Sequence, residues 1–140
     1  MTENYKILGN YIKDMSSETP DIETHIFVKD YISKYQLNID ITSKALKNKM
    51  IEVNTILKFE DKQENKKKSY FEINYSTIVE INDEIKEKKD LEKIILCDVQ
   101  IEIYPKLEKS FLNLLHNSGY PDVKFEKKID FDQLYSQRLN

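Results

Sequence analysis

A chain of 140 residues with 22 basic and 25 acidic side chains carries a formal net charge of −3, which gives no general basis for holding nucleic acid. Apolar residues make up 39% of it, and no apolar run approaches the ~20 residues that span a bilayer. One cysteine excludes an internal disulfide and two glycines exclude a phosphate-cradling loop, so a single domain over residues 1–140 in a reducing, cytosolic compartment is expected.

The opening residues, Met1-Thr-Glu-Asn-Tyr, lack the basic and then apolar pattern of a signal peptide. Asn4–Met15, rich in Tyr and Ile, reads as a first strand, with Gly9 marking a bulge or bend. Ser16–Tyr31 holds Pro20 and mixed polarity and reads as a long surface loop with a single helical turn at most. Tyr35, Leu37, Ile39 and Ile41 alternate with Gln36, Asn38 and Asp40, the period of a strand with one buried face. Thr42–Lys49 reads as a polar turn. Ile51, Val53, Leu57 and Phe59 alternate with Glu52, Asn54, Lys58 and Glu60 and give a third strand. Asp61–Ser69 is a highly charged loop. Its run Lys66-Lys67-Lys68, flanked by Glu60, Asp61 and Glu64, reads as a solvated turn rather than a nucleic-acid patch. Phe71, Ile73, Tyr75, Val79 and Ile81 mark a fourth strand. Consecutive strands with short polar loops predict an antiparallel meander with one apolar face to be covered.

Leu91, Ile94, Ile95 and Val99 suit a helix after Asp90, but Val99, Ile101 and Ile103 also alternate, which leaves the boundary near Asp98 open. Pro105 suits the first position of a longer helix. Leu107, Phe111, Leu114 and Leu115 then fall on one face of that helix. Gly119 would close it in the left-handed conformation, and Pro121 prevents a restart. Asp130 can cap a short last helix carrying Phe131, Leu134 and Tyr135. Strands first and helices last give an α+β fold: a four-stranded antiparallel sheet with helices packed on one face. The apolar segment Leu91–Ile103 lies beside an already complete long helix. That predicts an obligate oligomer, with the first helix buried between protomers.

Nothing in the chain points to catalysis, a metal or a cofactor. His25 and His116 are far apart and, with the lone Cys97, cannot make a usual structural zinc site. His116, at the end of the long helix, suits a cation that complements the dipole. His25, in the predicted loop, reads as solvated. Cys97 reads as a small helix residue, since no neighbouring motif would activate it as a nucleophile. The nine Tyr and six Phe are mostly core. Phe27 and Tyr31 differ, because they lie in the predicted loop. Either they staple that loop to the sheet, or they line a groove for an extended apolar peptide. Asp14, Glu18 and Glu72 are ordinary surface carboxylates on their residues alone.

The order Tyr104-Pro105, a helix, Gly119-Tyr120-Pro121, a short extended run, Ile129-Asp130-Phe131 and Leu134-Tyr135 resembles the C-terminal half of the SecB family, the bacterial protein-export chaperones. Tyr11-Ile-Lys-Asp-Met-Ser-Ser-Glu-Thr-Pro20 is similar to that family's first strand and the loop after it, and Phe27 with Lys29-Asp30-Tyr31 to its next segment. Ser17 stands where Phe is usual, Tyr31 where Trp is usual and Glu108 where Arg is usual, and the loop's second Pro is absent. The resemblance implies a SecB-like domain assembled as a homotetramer, a dimer of dimers. It implies that the protein holds unfolded secretory precursors in the cytosol and passes them to the SecA motor, without nucleotide, metal, nucleic acid or membrane insertion. On the same resemblance Phe27 and Tyr31 would touch clients, and Asp14, Glu18 and Glu72 would dock SecA. A solitary SecB-like chaperone for a dedicated client, such as an antitoxin, is the alternative within the family. Outside it, the alternative is a small α+β ligand-binding or enzymatic domain with convergent polar groups in a closed cavity.

Overall fold

The sheet follows from the alternating stretches. Its strands are β1 (Tyr5–Glu18), β2 (Gln36–Ala45), β3 (Met50–Glu60) and β4 (Tyr70–Ile81), in a computed structural model that describes residues 3–138. The chain ends read above, Met1-Thr2 and Leu139-Asn140, lie outside the described residues. Every neighbouring pair is antiparallel, in the order β1-β4-β3-β2. A meander therefore holds only from β2 to β4; β1 lies beside β4, a Greek-key arrangement. The connection explains the difference. Residues Ile22–Tyr31, expected as a loop, form helix α1, followed by a 3₁₀ turn at Ile32–Lys34. A helix of that length reaches ~15 Å, about the width of three strand spacings of ~4.8 Å, so it can carry the chain from one edge of the sheet to the other.

Two other expected loops are shorter than read. The polar turn contracts to the residues after Ala45, with Asn48 (φ 61°) and Lys49 (φ 62°) both left-handed, as a tight hairpin requires. Lys49 is held there by Asp83, 2.5 Å from its Nζ. β1 runs on to Glu18, with irregularities at Leu8 and Lys13 that re-aim the side chains beyond them.

The inner face of the sheet carries Val53, Leu57, Phe59, Phe71, Ile73, Tyr75 and Val79, all buried. Over it lies one continuous helical run: α2 (Lys88–Lys93), a π turn (Ile94–Asp98) and α3 (Val99–Asn117). Pro105 is thus inside a helix and does not begin one. It faces solvent, as does Ile101 one turn earlier, so the carbonyl that Pro105 leaves without an N–H partner is on the wet side. Leu91, Ile95, Val99, Ile103, Leu107, Phe111 and Leu115 recur every four residues. Such a stripe winds slowly round a 3.6-residue helix, and one wider π turn takes out part of the winding. Gln100, fully buried, secures the junction. Its amide donates to the Ile95 carbonyl (3.2 Å) and accepts from the Thr55 hydroxyl on β3 (3.0 Å).

Ile94, Ile95, Val99 and Ile103 are all buried by this chain alone. Within the same segment Leu91 and Leu96 stay partly exposed and Ile101 is 53% exposed, so this chain covers one face of the first helix and leaves apolar groups on the other. The helix end follows the sequence reading closely. Gly119 has φ +103°, its N–H bonds the His116 carbonyl (3.3 Å), and the Tyr120 N–H bonds that of Leu115 (3.2 Å). These are the paired bonds of a Schellman cap, and Leu115 and Tyr120, the positions whose side chains such a cap brings together, are both buried. Asp130 caps α4 (Phe131–Arg138) by accepting from the Gln133 N–H at 3.1 Å.

Candidate functional site

Helix α1 begins at Asp21, whose carboxylate accepts from the Thr24 N–H at 2.8 Å. Thr24 and Val28 of α1 are buried and His25 and Tyr31 half-buried, which leaves the outer surface of the helix open. Ile22 and Ile26, one turn apart, are 69% and 57% exposed. Phe27 and Tyr31, also one turn apart, stack with ring centroids 5.5 Å apart and planes 19° from parallel. Phe27 is exposed. Tyr31 leans against the core, and its hydroxyl donates to Gln63 in the β3–β4 loop. The stapling role read from sequence thus fits Tyr31, whereas Phe27 packs on Tyr31 and otherwise faces water.

Directly after Tyr31 the chain enters a cleft of about 980 Å³. Ile32, Leu37 and Phe59 form one side of it, and Val123, Phe125 and Ile129 the other. The segment between α3 and α4 that closes the cleft is tied down by His116, whose ring nitrogen donates to the Val123 carbonyl at 2.9 Å. Sequence reading missed this wall. Its signal is the alternation of Val123 and Phe125 with Lys124 and Glu126 in a stretch without a strand partner.

The outer face of the sheet is mixed, with Tyr11 and Tyr70 exposed among polar and charged side chains. Asp14 pairs with Asn74, Ser16 with Glu72 and Glu18 with Tyr70, so Asp14, Glu18 and Glu72 point from one patch of that face. Lys58 lies 3.4 Å from Glu72, and Lys13 bonds Glu52 at 2.7 Å, so the patch is mixed at its margin. β1 is also an edge strand. Its Leu8, Tyr11, Ile12 and Met15 are each 45–47% exposed.

His25, read as solvated, is instead half-buried against Gly119. Cys97 is buried, and its thiol donates to Asp132 at 3.0 Å. Burial first, and that carboxylate second, push the thiol up to about 12, so it stays protonated and unreactive. Among the described residues no group of three or more His, Cys, Asp or Glu could hold a metal ion, and no helix is long and apolar enough to cross a membrane.

This arrangement offers a cleft of mixed apolar and charged lining, exposed apolar groups on α1 and β1, and a charged patch on the outer face of the sheet. Comparison with known proteins agrees with it. A chain of Pelagibacter ubique (strain HTCC1062), provisionally named protein-export protein SecB, is 66% identical over the whole of both chains. The protein-export protein SecB of Parvibaculum lavamentivorans is 23% identical over 95% of this chain and 77% of its own length. In fold, the chain is similar to a Mycobacterium tuberculosis SecB-like chaperone solved with a ChAD peptide from an antitoxin, with a TM-score of 0.64, 10% identity and coverage of 90% and 91% of the two chains. The family profile described as preprotein translocase subunit SecB matches residues 1–140, and the chain belongs to the SecB family.

Proposed function

We propose that this protein is a cytosolic export chaperone that holds unfolded precursor chains and delivers them to the SecA motor. The observation that carries the reading is the stacked pair Phe27–Tyr31 on a helix with a largely exposed outer surface, next in the chain to a cleft lined in part by Ile32, Leu37, Phe59, Val123, Phe125 and Ile129. Apolar contact is tolerant of sequence, which suits a holder of many unfolded segments. Each aromatic contributes at most ~1.5–3 kcal/mol on burial, so affinity is summed over several weak contacts. No nucleotide or metal enters such a cycle. Family membership and the export name of the 66% identical relative support it.

Asp14, Glu18 and Glu72 suit docking of a basic surface on SecA, which makes that contact salt-sensitive. Assembly is a homotetramer, a dimer of dimers, with the apolar edge strand β1 as one surface to be covered.

The test replaces Phe27 and Tyr31 together with Ser. Suppression of client aggregation should fall while circular dichroism shows a folded chain, with the unfolding midpoint lowered only by the loss of the Tyr31 contact with the core. A folded double variant that holds clients as well as wild type would reject the site. Suppression confined to one client would replace the export role with a dedicated-client role. Reversing Asp14, Glu18 and Glu72 to Lys should weaken SecA binding and spare client binding. Unchanged SecA affinity at low salt would reject that face.

A further inference from the structure

Three contacts between distant parts of the chain converge on Ser118-Gly119-Tyr120, the capped end of α3. Ser17 Oγ donates to Ser118 Oγ at 2.7 Å. Thr19 Oγ1 lies 3.1 Å from the Tyr120 hydroxyl and 2.7 Å from Ser69 Oγ, and Ser69 Oγ lies 2.9 Å from the Tyr120 hydroxyl, so the three hydroxyls close a triangle. The His25 ring occupies the space beside Gly119 that a side chain would enter. A Cβ there would come within 2.7 Å of His25 Cε1 and 3.3 Å of Nδ1. The same ring sits 5.1 Å from that of Tyr120. The left-handed cap by itself tolerates Asn in some helices. Contact with His25 removes that latitude, because any Cβ would displace the ring.

We infer that the capped end of α3 is the seat that fixes α1, with His25 and Gly119 as positioning residues for the Phe27–Tyr31 pair. The inference rests on the reading of that pair as a client contact. Helix α1 has ten residues, too few to be stable alone, and buries only Thr24 and Val28. Its place is therefore set by what it docks on. Phe27 is not fixed by the core: it is 38% exposed, and its ring contact is with Tyr31 on the same helix. His25 lies two residues earlier on the same short helix, and through it Gly119 sets where the stack points. A stack held in advance spares the client the entropy of ordering it.

The experiment compares His25→Ala, His25→Gln and Gly119→Ala in the full chain, with two readouts. Amide hydrogen exchange follows residues 22–31 against residues 99–117. Anisotropy follows affinity for a labelled, reduced and carboxymethylated α-lactalbumin, which is permanently unfolded. His25→Ala should speed exchange in α1 roughly tenfold and leave α3 unchanged. It should also weaken client affinity roughly fivefold. His25→Gln, whose planar amide reaches as far as the ring, should restore most of both. Gly119→Ala should loosen α1 as His25→Ala does, and the double variant should add little to either. Unchanged α1 exchange in His25→Ala overturns the seat. Loosened α1 with unchanged affinity overturns the positioning role, provided the Phe27→Ser, Tyr31→Ser variant does lose affinity. If that variant binds normally, the client reading itself fails, and exchange alone decides the seat.

Discussion

Strands β1 and β4 are neighbours of 14 and 12 residues, and both place apolar side chains on the inner face. Their fates differ. Ile73 and Val79 of β4 are fully buried beneath α3, whereas Ile12 and Met15 of β1, directly opposite Tyr75 and Ile73, remain almost half exposed. Alternation decides which residues share a face. Whether the chain's own helices reach over that face is a separate matter. The central strands are covered from within. The β1 edge and the outer surface of α1 keep apolar groups that no element of this chain covers among the described residues.

Removing core from the covered side should have the largest effect. Phe111→Ala, at a fully buried position, should cost about 3–5 kcal/mol in denaturant unfolding. Ile12→Ala on β1 should cost well under half of that in the isolated chain. Equal losses would erase the distinction between the two strands. Next, Gln100→Ala strands the Thr55 hydroxyl and the Ile95 carbonyl in a dry interior, and about 1–3 kcal/mol should be lost. The open side responds through mass. Ile12→Lys with Met15→Lys should shift the light-scattering mass toward the 16.7 kDa of one chain, with secondary structure intact. A wild-type mass of 16.7 kDa at micromolar concentration would remove the proposed assembly altogether.

The smallest effect concerns the start of α1. Hydrogen bonds from Thr24, side chain first and N–H second, hold the Asp21 carboxyl below the usual carboxylate range. A carboxyl lowered in the folded state stabilises above its unfolded pKa, and that gain is lost as pH falls through the folded value. Exchange in residues 22–31 should therefore quicken below about pH 4. In Asp21→Asn, which caps without titrating, this acid dependence should disappear.

Much of the architecture could be read from residue order. The alternation from Tyr35 to Ile81 located three strands, Gly119 with Pro121 the end of the long helix, and Asp130 the start of the last. Strand order could not be read, because alternation says nothing of which edge a first strand joins. Helix α1 was missed for a physical reason. Its apolar residues Ile22, Ile26 and Phe27 do not gather on a buried stripe, since most of them face water. Pro105 misled because a proline on the wet side of a helix is tolerated where a buried one is not. The aromatic pair and the acidic patch could be named from the family resemblance. Their surroundings, the cleft wall at Val123–Ile129 and the His25 seat, depend on contacts that local patterns do not encode.

On the proposed function, the aromatic face of α1 receives clients because of where it lies, and not merely because it is apolar and exposed. Leu46, at the tip of the β2–β3 hairpin, is 36% exposed against 38% for Phe27 and offers a matched control. A photoactivatable benzoylphenylalanine placed at each position in turn, in the presence of an unfolded precursor, measures contact directly. The account predicts abundant client adducts from the position of Phe27 and few from that of Leu46. Equal yields from both would contradict it.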